Sequence, residues 1–393
     1  MSNVYYLSYY DFTGSNEHRN VTLSAKTKMD YIITCLAKAG ERVEIISASG
    51  STDKKERYPK SYTEIQDNVY LKKFYSFPWG NSFQKLLSMT TSRASILFEL
   101  LKKRKNDIVL VYHSLGYMNT VLFAHKIKRF KLVMEVEEIY ADVTGNQKTR
   151  TKELRLFQEA DAYIFPTQLL DETVNTLHKP SVIAHGTYAV EPDRHCKFDQ
   201  PLMHDDESRV VHCVYAGTLD PRKGGAIAAA AAEHLPSNYY VHILGFGGDK
   251  EISAMQEHIT RVAKRSKAKV SYDGCLSGED YIRFIQSCDI GLSTQNPNAA
   301  FNETSFPSKV LSYLANGLHV VSIRIPAVER SAVGDLLTYY DVQSPEEIAK
   351  AIMSVDVHAS FDSRERIDKL DESFAQDLKQ ILKEVEELRG VSR

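Results

Sequence analysis

The chain has 393 residues and a formal net charge of −2, with 43% apolar and 25% charged residues. This composition is typical of soluble globular proteins and excludes a largely disordered or collagen-like chain. The length predicts two domains, because a domain usually has about 100–200 residues. The longest apolar runs, such as 108–112, are far shorter than the ~20 residues of a membrane-spanning helix.

The five cysteines are scattered, and the sequence contains no Cys-x-x-Cys pair and no His/Cys cluster. This pattern predicts no structural zinc site and favours a reducing, cytoplasmic compartment. The first residues show no basic region followed by an apolar stretch, so we expect no secretory signal.

In the first half of the chain, short apolar segments alternate with helical patterns. The predicted strands are 4–9, 43–47, 69–74, 108–112, 132–136, 162–166 and 182–184, and the clearest helices are 24–39 and 82–105. Strands separated by helices pair in parallel, which predicts a doubly wound sheet. Residues 1–190 are therefore expected to form one Rossmann-like domain.

Residues 191–208 are polar and lack periodicity, which predicts a linker. Beyond it the α/β pattern restarts, with strands at 210–216, 240–244, 269–272, 289–293 and 319–323 and helices between them. We expect a second Rossmann-like domain over 209–355 and a helical segment over 356–393 that packs back on the first domain. Two such domains facing each other would leave a central cleft at the carboxyl ends of both sheets, where ligands bind.

Charge is unevenly distributed, since residues 54–131 contain sixteen basic and five acidic residues. This stretch also contains Trp79, the only tryptophan of the chain, and the cluster 102–105 at the end of a predicted helix. Basic and aromatic residues together suit an anionic membrane surface, while a solvated helix face is the simpler alternative. No nucleic-acid-binding module is recognisable, so we expect no nucleic-acid partner.

Two segments of the second half suggest an anion site. In the first, a buried strand leads into Gly217 and then into Arg222, Lys223 and Gly224. Glycine lets backbone approach a ligand closely and a helix N-terminus favours an anion, so Arg222 and Lys223 are candidate ligands of a diphosphate. A plain turn with surface charges fits this segment equally well.

The second segment runs from Phe301 to Gly317. Ser308 follows Pro307 near a helix start, where free N–H groups can bind phosphate. Glu303, Ser308 and Lys309 together suit a polar, anionic ligand, and an ordinary helix cap is the alternative.

In this order and spacing, the two segments resemble the donor half of family 4 glycosyltransferases of the GT-B fold, in the subgroup with Pro-Ser-Lys at the second segment. The segments 245–248, 272–276 and 288–293 and the loop with Gly14 also lie where that family expects them. The resemblance implies a retaining hexosyl transfer from a nucleotide-sugar, most often a UDP-sugar, to a glycan or lipid-linked acceptor. It implies no metal and no further cofactor, and the sequence contains no Asp-x-Asp motif.

The resemblance also implies roles for individual residues. Arg222, Lys223 and Glu303 would act at the reacting donor. The implied donor-binding residues are Gly14, Asn16, Gly217, Thr218, Gly247, Leu276, Ser305, Phe306, Pro307, Ser308, Lys309 and Ser312. Thr218 stands where the family has an arginine and Ser312 where it has a glutamate, which leaves the identity of the donor open.

The acceptor is expected on the first domain. A predicted buried strand ends in Glu135, Glu137 and Glu138, and the first two share a face if the strand continues. Positions 137 and 138 are similar to a His-Asp pair of the family, so Glu137 or Glu138 is predicted to orient the acceptor hydroxyl. A solvated acidic turn is the alternative, and His113 and His185 are expected to be structural.

Two other functions remain open at this stage. A nucleotide-sugar 2-epimerase on the same fold would need no acceptor. A non-catalytic sugar-nucleotide-binding subunit would bind the donor without turnover, and the replacements at Thr218 and Ser312 make this second alternative reasonable. We expect a protein of the cytoplasm or of the inner membrane face, while the oligomeric state is not readable from the sequence.

Overall fold

The structure is a computed structural model that describes residues 3–144, 147–194, 209–298 and 304–387. The chain divides into two compact units. The first comprises Met1–Thr187 and Glu372–Arg393, and the second comprises Tyr188–Asp371. Most of the predicted linker, from residue 195 to residue 208, lies outside the described residues.

The first unit contains an eight-stranded sheet in the order β3-β4-β2-β1-β5-β6-β7-β8. The strands are β1 Asn3–Ser8, β2 Arg42–Ser47, β3 Ser61–Gln66, β4 Val69–Lys73, β5 Ile108–Tyr112, β6 Lys131–Glu135, β7 Ala162–Phe165 and β8 Ser181–Ile183. The helices are α1 Leu23–Lys38, α2 Ser82–Leu101, α3 Met118–Lys128, α4 Tyr140–Thr144, α5 Gln147–Phe157 and α6 Gln168–Val174. The central strands are buried along nearly their whole length, which is why they read as continuous apolar runs.

One strand of this sheet departs from the predicted parallel arrangement. Residues Ser61–Gln66, for which the sequence predicts no strand, form the antiparallel edge strand β3 against β4. The two residues between the strands allow only a hairpin, and Asn68 adopts a positive φ of 63° there. Most side chains of β3 are exposed, so the strand lacks the apolar run by which the others were recognised.

Helix α2 is shorter than predicted and ends at Leu101 instead of residue 105. The basic cluster 102–105 therefore lies beyond the helix. Lys103 is buried, with its Nζ 3.1 Å from a carboxylate oxygen of the buried Glu99. Lys72 and Lys102 also bind Glu99, so the cluster is partly neutralised within the fold.

The second unit contains a six-stranded, fully parallel sheet in the order β11-β10-β9-β12-β13-β14. The strands are β9 Val211–Thr218, β10 Tyr239–Phe246, β11 Lys269–Gly274, β12 Ile290–Ser293, β13 His319–Ile323 and β14 Leu337–Tyr340. The helices are α7 Gly225–Ala230, α8 Asp249–Ala263, α9 Gly278–Ser287, α10 Ser308–Ala315, α11 Pro326–Glu329, α12 Pro345–Met353 and α13 Ser363–Glu387. Short 3-10 turns at Pro221–Lys223, Ala231–His234 and Gly334–Leu336 complete this unit.

The last helix belongs to both units, since its residues from Glu372 onward are counted with the first. There the ring of Phe374 stacks on that of Tyr31 in α1, with centroids 5.4 Å apart. Within the described residues, no helix combines the length and apolarity needed to cross a bilayer.

Candidate functional sites

The candidate site of the second unit lies where β9 and β12 end and α10 begins. Gly224 fixes the turn after β9, with a φ of +85°. A Cβ at this position would lie 1.8 Å from the carbonyl oxygen of Thr294, so only glycine fits. The Thr294 hydroxyl donates a 2.8 Å hydrogen bond to the Gly224 carbonyl oxygen. The loop after β12 therefore holds the turn that carries Arg222 and Lys223.

Helix α10 is fixed against the end of β9 by a buried tyrosine. Tyr313 is fully buried, and its hydroxyl oxygen accepts a 2.8 Å hydrogen bond from the backbone N–H of Ala216. Its ring occupies the space above Gly291 of β12, where a Cβ would lie 2.3 Å from ring atoms. The N-terminus of α10 is thus positioned by core packing.

Lys309, in the first turn of α10, is the most informative residue of the site. Its Nζ is buried and has no hydrogen-bond partner among the described residues. It lies 3.7 Å from the ring centroid of Tyr215 and 3.3 Å from the position that a Cβ on Gly217 would take. Burial, together with the positive charge of Lys223, lowers the pKa of Lys309 to about 7. An unpaired buried cation is unfavourable, so two neighbouring lysines here indicate a site for an anion.

Arg222 has a different environment from Lys309. Its side chain is 64% exposed and forms an ion pair with Asp220, with Nη2 2.7 Å from Oδ2. The guanidinium lowers the pKa of the Asp220 carboxyl group. An exposed pair of this kind contributes little stability, so the guanidinium can be transferred to an anionic ligand at small cost.

The other residues that are predicted to bind the donor differ in their exposure and in their position in the fold. Ser308 is exposed at the start of α10, Phe306 is buried, and the Ser312 hydroxyl lies 3.3 Å from the Tyr281 hydroxyl. Thr218 is the last residue of β9, Gly247 and Leu276 follow β10 and β11, and Ser305 and Pro307 precede α10. Glu303 lies outside the described residues. Gly14 and Asn16 are exposed in the loop after β1 and belong to the first unit.

A second ionisable cluster lies at the carboxyl edge of the first sheet. Glu135 ends β6, is fully buried, and accepts a hydrogen bond from the hydroxyl of Tyr6 in β1. Glu137 lies on the same side of the chain, within hydrogen-bonding reach of the Glu135 carboxyl group. The Nζ of Lys28 lies 2.5 Å from a Glu137 oxygen and also donates to the carbonyl oxygen of Ala184, at 2.9 Å.

Burial and the nearby Glu137 charge raise the pKa of Glu135 to about 8. Glu135 is therefore protonated at neutral pH and can donate its proton to Glu137, while Lys28 balances the single remaining charge. Sequence reasoning found the two glutamates but missed Tyr6 and Lys28, which come from distant segments. Lys28 is nevertheless a lysine on the otherwise apolar face of a predicted helix, and that was an available signal.

The neighbouring histidines are built into the core. His113 is buried against Tyr140 and Phe157, and burial lowers its pKa to about 3. His185 is also buried, with Nδ1 2.7 Å from the carbonyl oxygen of Pro166 and a pKa of about 4. Both imidazoles are thus neutral at pH 7.

A cavity of about 300 Å³ opens at the same edge of the first sheet. Its lining comes from the ends of β1, β2 and β5 and from α2, and it includes Tyr9, Trp79, Met89, Arg93 and Tyr117. The sequence reading did not identify this cavity, although the single tryptophan marked the segment. Aromatic faces, hydroxyl groups and one guanidinium form a lining that suits a sugar with an anionic substituent.

Comparison with solved structures identifies the architecture. Sucrose-phosphate synthase from Thermosynechococcus elongatus superposes with a TM-score of 0.69 at 13% identity, covering 98% of this chain and 99% of that one. The chain has the GT-B fold. A structure described as trehalose-6-phosphate from E. coli bound with UDP-2-fluoro glucose gives a TM-score of 0.66 at 12% identity, covering 100% of each chain. Anabaena HepE in complex with UDP and glucose gives 0.61 at 12% identity, covering 99% of each chain.

No model of a known protein family matches the sequence, and no curated protein matches it significantly. The predicted fold class of two Rossmann-like domains is confirmed by the two parallel-sheet units and by these structures. At such low identities the likeness shows the fold alone, so the chemistry has to be argued from the residues of this chain.

Proposed function

We propose that this chain is a retaining glycosyltransferase that uses a nucleotide-sugar, with UDP as the nucleotide. The observation that carries the proposal is the buried ammonium group of Lys309, which has no hydrogen-bond partner among the described residues and lies beside Lys223 at the N-terminus of α10. Two of the structural neighbours are complexes with UDP or a UDP-sugar analogue, which supports this choice of nucleotide. Membership of family 4, in the Pro-Ser-Lys subgroup, is part of the same proposal.

The proposed chemistry depends on stabilising a departing diphosphate. The bond between the anomeric carbon and the diphosphate oxygen breaks, and a bond to the acceptor oxygen forms on the same face of the sugar. The acceptor proton passes to the departing phosphate oxygen. Lys309, Lys223 and the free N–H groups at the start of α10 would stabilise the negative charge that develops on the diphosphate. Because protein groups supply this positive charge, we propose that the transfer needs no metal ion.

We place the acceptor on the first unit. The cavity beside Trp79 would bind one sugar of a glycan or of a lipid-linked glycan. Glu137, which does not line this cavity, would accept a hydrogen bond from the reacting hydroxyl group of the acceptor. The Lys28–Glu137 contact of 2.5 Å and the proton on Glu135 fix the direction of that carboxylate. The protein would then extend a polysaccharide or glycoconjugate in the cytoplasm, at the inner face of the membrane.

A thermal-shift screen against UDP, GDP, ADP and CMP tests the donor site first. We expect UDP to raise the melting temperature, since a ligand that binds only the folded state stabilises it by mass action. Lys309→Met should abolish the shift, and Lys264→Met, at an exposed lysine at the end of α8, should retain it. Loss of the shift in both variants, or its absence from the wild type, would overturn the donor assignment.

Incubation with a UDP-sugar then separates transfer from the two alternatives. Transfer requires an added acceptor, and its anomeric configuration is read from the product by NMR. A changed sugar without acceptor would indicate the epimerase, and binding without any turnover would indicate the binding subunit.

A further inference from the structure

Two neighbouring helices of the first unit expose apolar side chains to solvent. Helices α2 and α3 pack side by side, and each turns its apolar stripe only partly towards the sheet. The large apolar residues exposed on them are Phe83, Leu86, Met89 and Phe98 on α2 and Phe123 and Ile127 on α3. We call this set the α2–α3 face. Phe83 is 72% and Phe98 67% exposed, values that leave most of an aromatic side chain in water.

The charged residues on and next to these helices in sequence are mainly basic. The sequence contains no Asp or Glu between residues 68 and 98 or between residues 108 and 134. Within these stretches the two helices carry Lys85, Arg93, Lys126 and Lys128, and Arg129 follows directly. Acidic residues of other segments also lie nearby, with Asp53 next to Trp79 and with Glu159 and Asp161 near His125 of α3. Large apolar side chains with an excess of cations favour an anionic partner that also has an apolar interior.

The basic cluster 102–105 is a poorer candidate for such a contact. Lys103 is buried in ion pairs with Glu99 and Glu44, and Lys102 also binds Glu99. Of the exposed apolar residues on α2, Phe83, Leu86 and Met89 lie at the opposite end of the helix, and Phe98 lies near the cluster. The sequence predicts a membrane contact for the whole basic stretch 54–131, and the exposed apolar side chains of the structure favour α2 and α3 within that stretch.

We propose that the α2–α3 face docks on the surface of an anionic phospholipid bilayer. The apolar side chains would enter the boundary between headgroups and acyl chains, and Lys85, Lys126 and Arg129 would bind lipid phosphates. Met89 belongs to this face and also lines the cavity with Trp79. A sugar carried on a membrane lipid could therefore enter the cavity from the bilayer. This last step rests on the proposed function, whereas the docking itself does not.

Sedimentation with vesicles tests the proposal directly. The full chain should bind mixed phosphatidylcholine–phosphatidylglycerol vesicles and bind pure phosphatidylcholine vesicles much less. The double variant Phe83→Ser, Leu86→Ser should bind the mixed vesicles at least about tenfold more weakly, because two large apolar side chains no longer enter the bilayer. Leu177→Ser, at a residue 56% exposed elsewhere in the first unit, is the matched control and should bind like the wild type.

Charge and tryptophan fluorescence provide two further readouts. Lys85→Gln with Lys126→Gln should reduce binding to the mixed vesicles and its salt dependence, whereas Lys102→Gln should change neither. Trp79 is the only tryptophan, so its emission should shift to shorter wavelength when mixed vesicles are added. Circular dichroism and the melting temperature of each variant show that it is folded.

The proposal is overturned if the wild type binds no mixed vesicles or if the Phe83/Leu86 variant binds them as well as the wild type. It is also overturned if sedimentation equilibrium shows a wild-type dimer that this variant dissociates, since the face would then join two copies of the chain. The UDP thermal shift is measured in the same samples. Vesicle binding without a UDP shift contradicts the proposed function alone, and a UDP shift without vesicle binding contradicts the docking alone.

Discussion

Glu135 and Lys309 are ionisable side chains buried at the carboxyl edges of the two sheets, and their surroundings differ. Glu135 in the first unit accepts a hydrogen bond from the Tyr6 hydroxyl and lies beside Glu137, which binds Lys28. The other Glu135 oxygen, Oε1, accepts no hydrogen bond among the described residues, as expected of a protonated carboxyl group that donates to Glu137. Lys309 in the second unit has an aromatic face but no hydrogen-bond partner among the described residues. A proton can therefore satisfy the first group within the protein, whereas the second requires an anion, and this makes Lys309 the better pointer to a ligand.

The two groups should also respond to pH in opposite directions. Burial raises the pKa of Glu135 to about 8 and lowers that of Lys309 to about 7, so each shifts towards its neutral form. Four predictions follow from this contrast and from the turn that holds the second site.

Gly224→Ala should have the largest effect. The new Cβ would meet the Thr294 carbonyl oxygen, and φ at this position is +85°. We expect the free energy of unfolding to fall by about 3 kcal/mol or more, since strain and a backbone clash add. Gly274→Ala is the matched control, because its φ is +84° with no atom within 4 Å of a Cβ. It should cost only about 1 kcal/mol in urea unfolding, and equal losses would contradict the clash.

Lys309→Met should weaken UDP binding about 100-fold, because a buried charge-assisted contact with the diphosphate is lost. The same change should leave the ligand-free protein as stable or more stable at pH 7, since it removes an unpaired buried cation. Isothermal titration with UDP and urea unfolding without it measure the two effects. A large loss of ligand-free stability would mean that Lys309 is structural.

The pH dependence of stability should differ between wild type and Lys309→Met. The folded pKa of about 7 lies below the ordinary value of 10.5, so between these values the unfolded chain binds more protons. The wild type should therefore gain stability relative to Lys309→Met as the pH rises through this range. UDP affinity should fall over the same range, and UDP binding at pH 8 should take up protons, as titration in buffers of different ionisation enthalpy would show. Parallel pH curves for the two proteins would contradict the assignment.

Glu135→Gln should have the smallest effect and the opposite pH slope. The folded pKa of about 8 lies above the ordinary 4.5, so the folded state binds more protons between these values. The wild type should therefore lose stability relative to Glu135→Gln as the pH rises from 4.5 to 8. At pH 5 the two proteins should be nearly equally stable, because glutamine resembles the protonated acid. Glu137→Gln should instead destabilise at that pH, since it removes the carboxylate that binds Lys28.

Much of the fold could be predicted because short residue patterns in the sequence mark the strands and turns. Apolar runs such as 108–112 and the glycines after β9 mark strands and turns within a few residues of themselves. The polar edge strand β3 escaped prediction for the reverse reason, because it depends on pairing with β4. Helix α2 ends at Leu101, four residues before the predicted end.

By itself, then, the sequence determined the α/β alternation and the two Rossmann-like domains, and it predicted Arg222, Lys223 and Lys309 as candidate ligands of an anion. Only the tertiary structure showed how individual cations are paired. Arg222 and Lys103 bind Asp220 and Glu99, whereas the Lys309 ammonium is buried without a hydrogen-bond partner among the described residues. The physical reason is that the free energy of a charged side chain depends on its burial and on neighbours from distant segments of the chain. Neither can be read from the local spacing of residues.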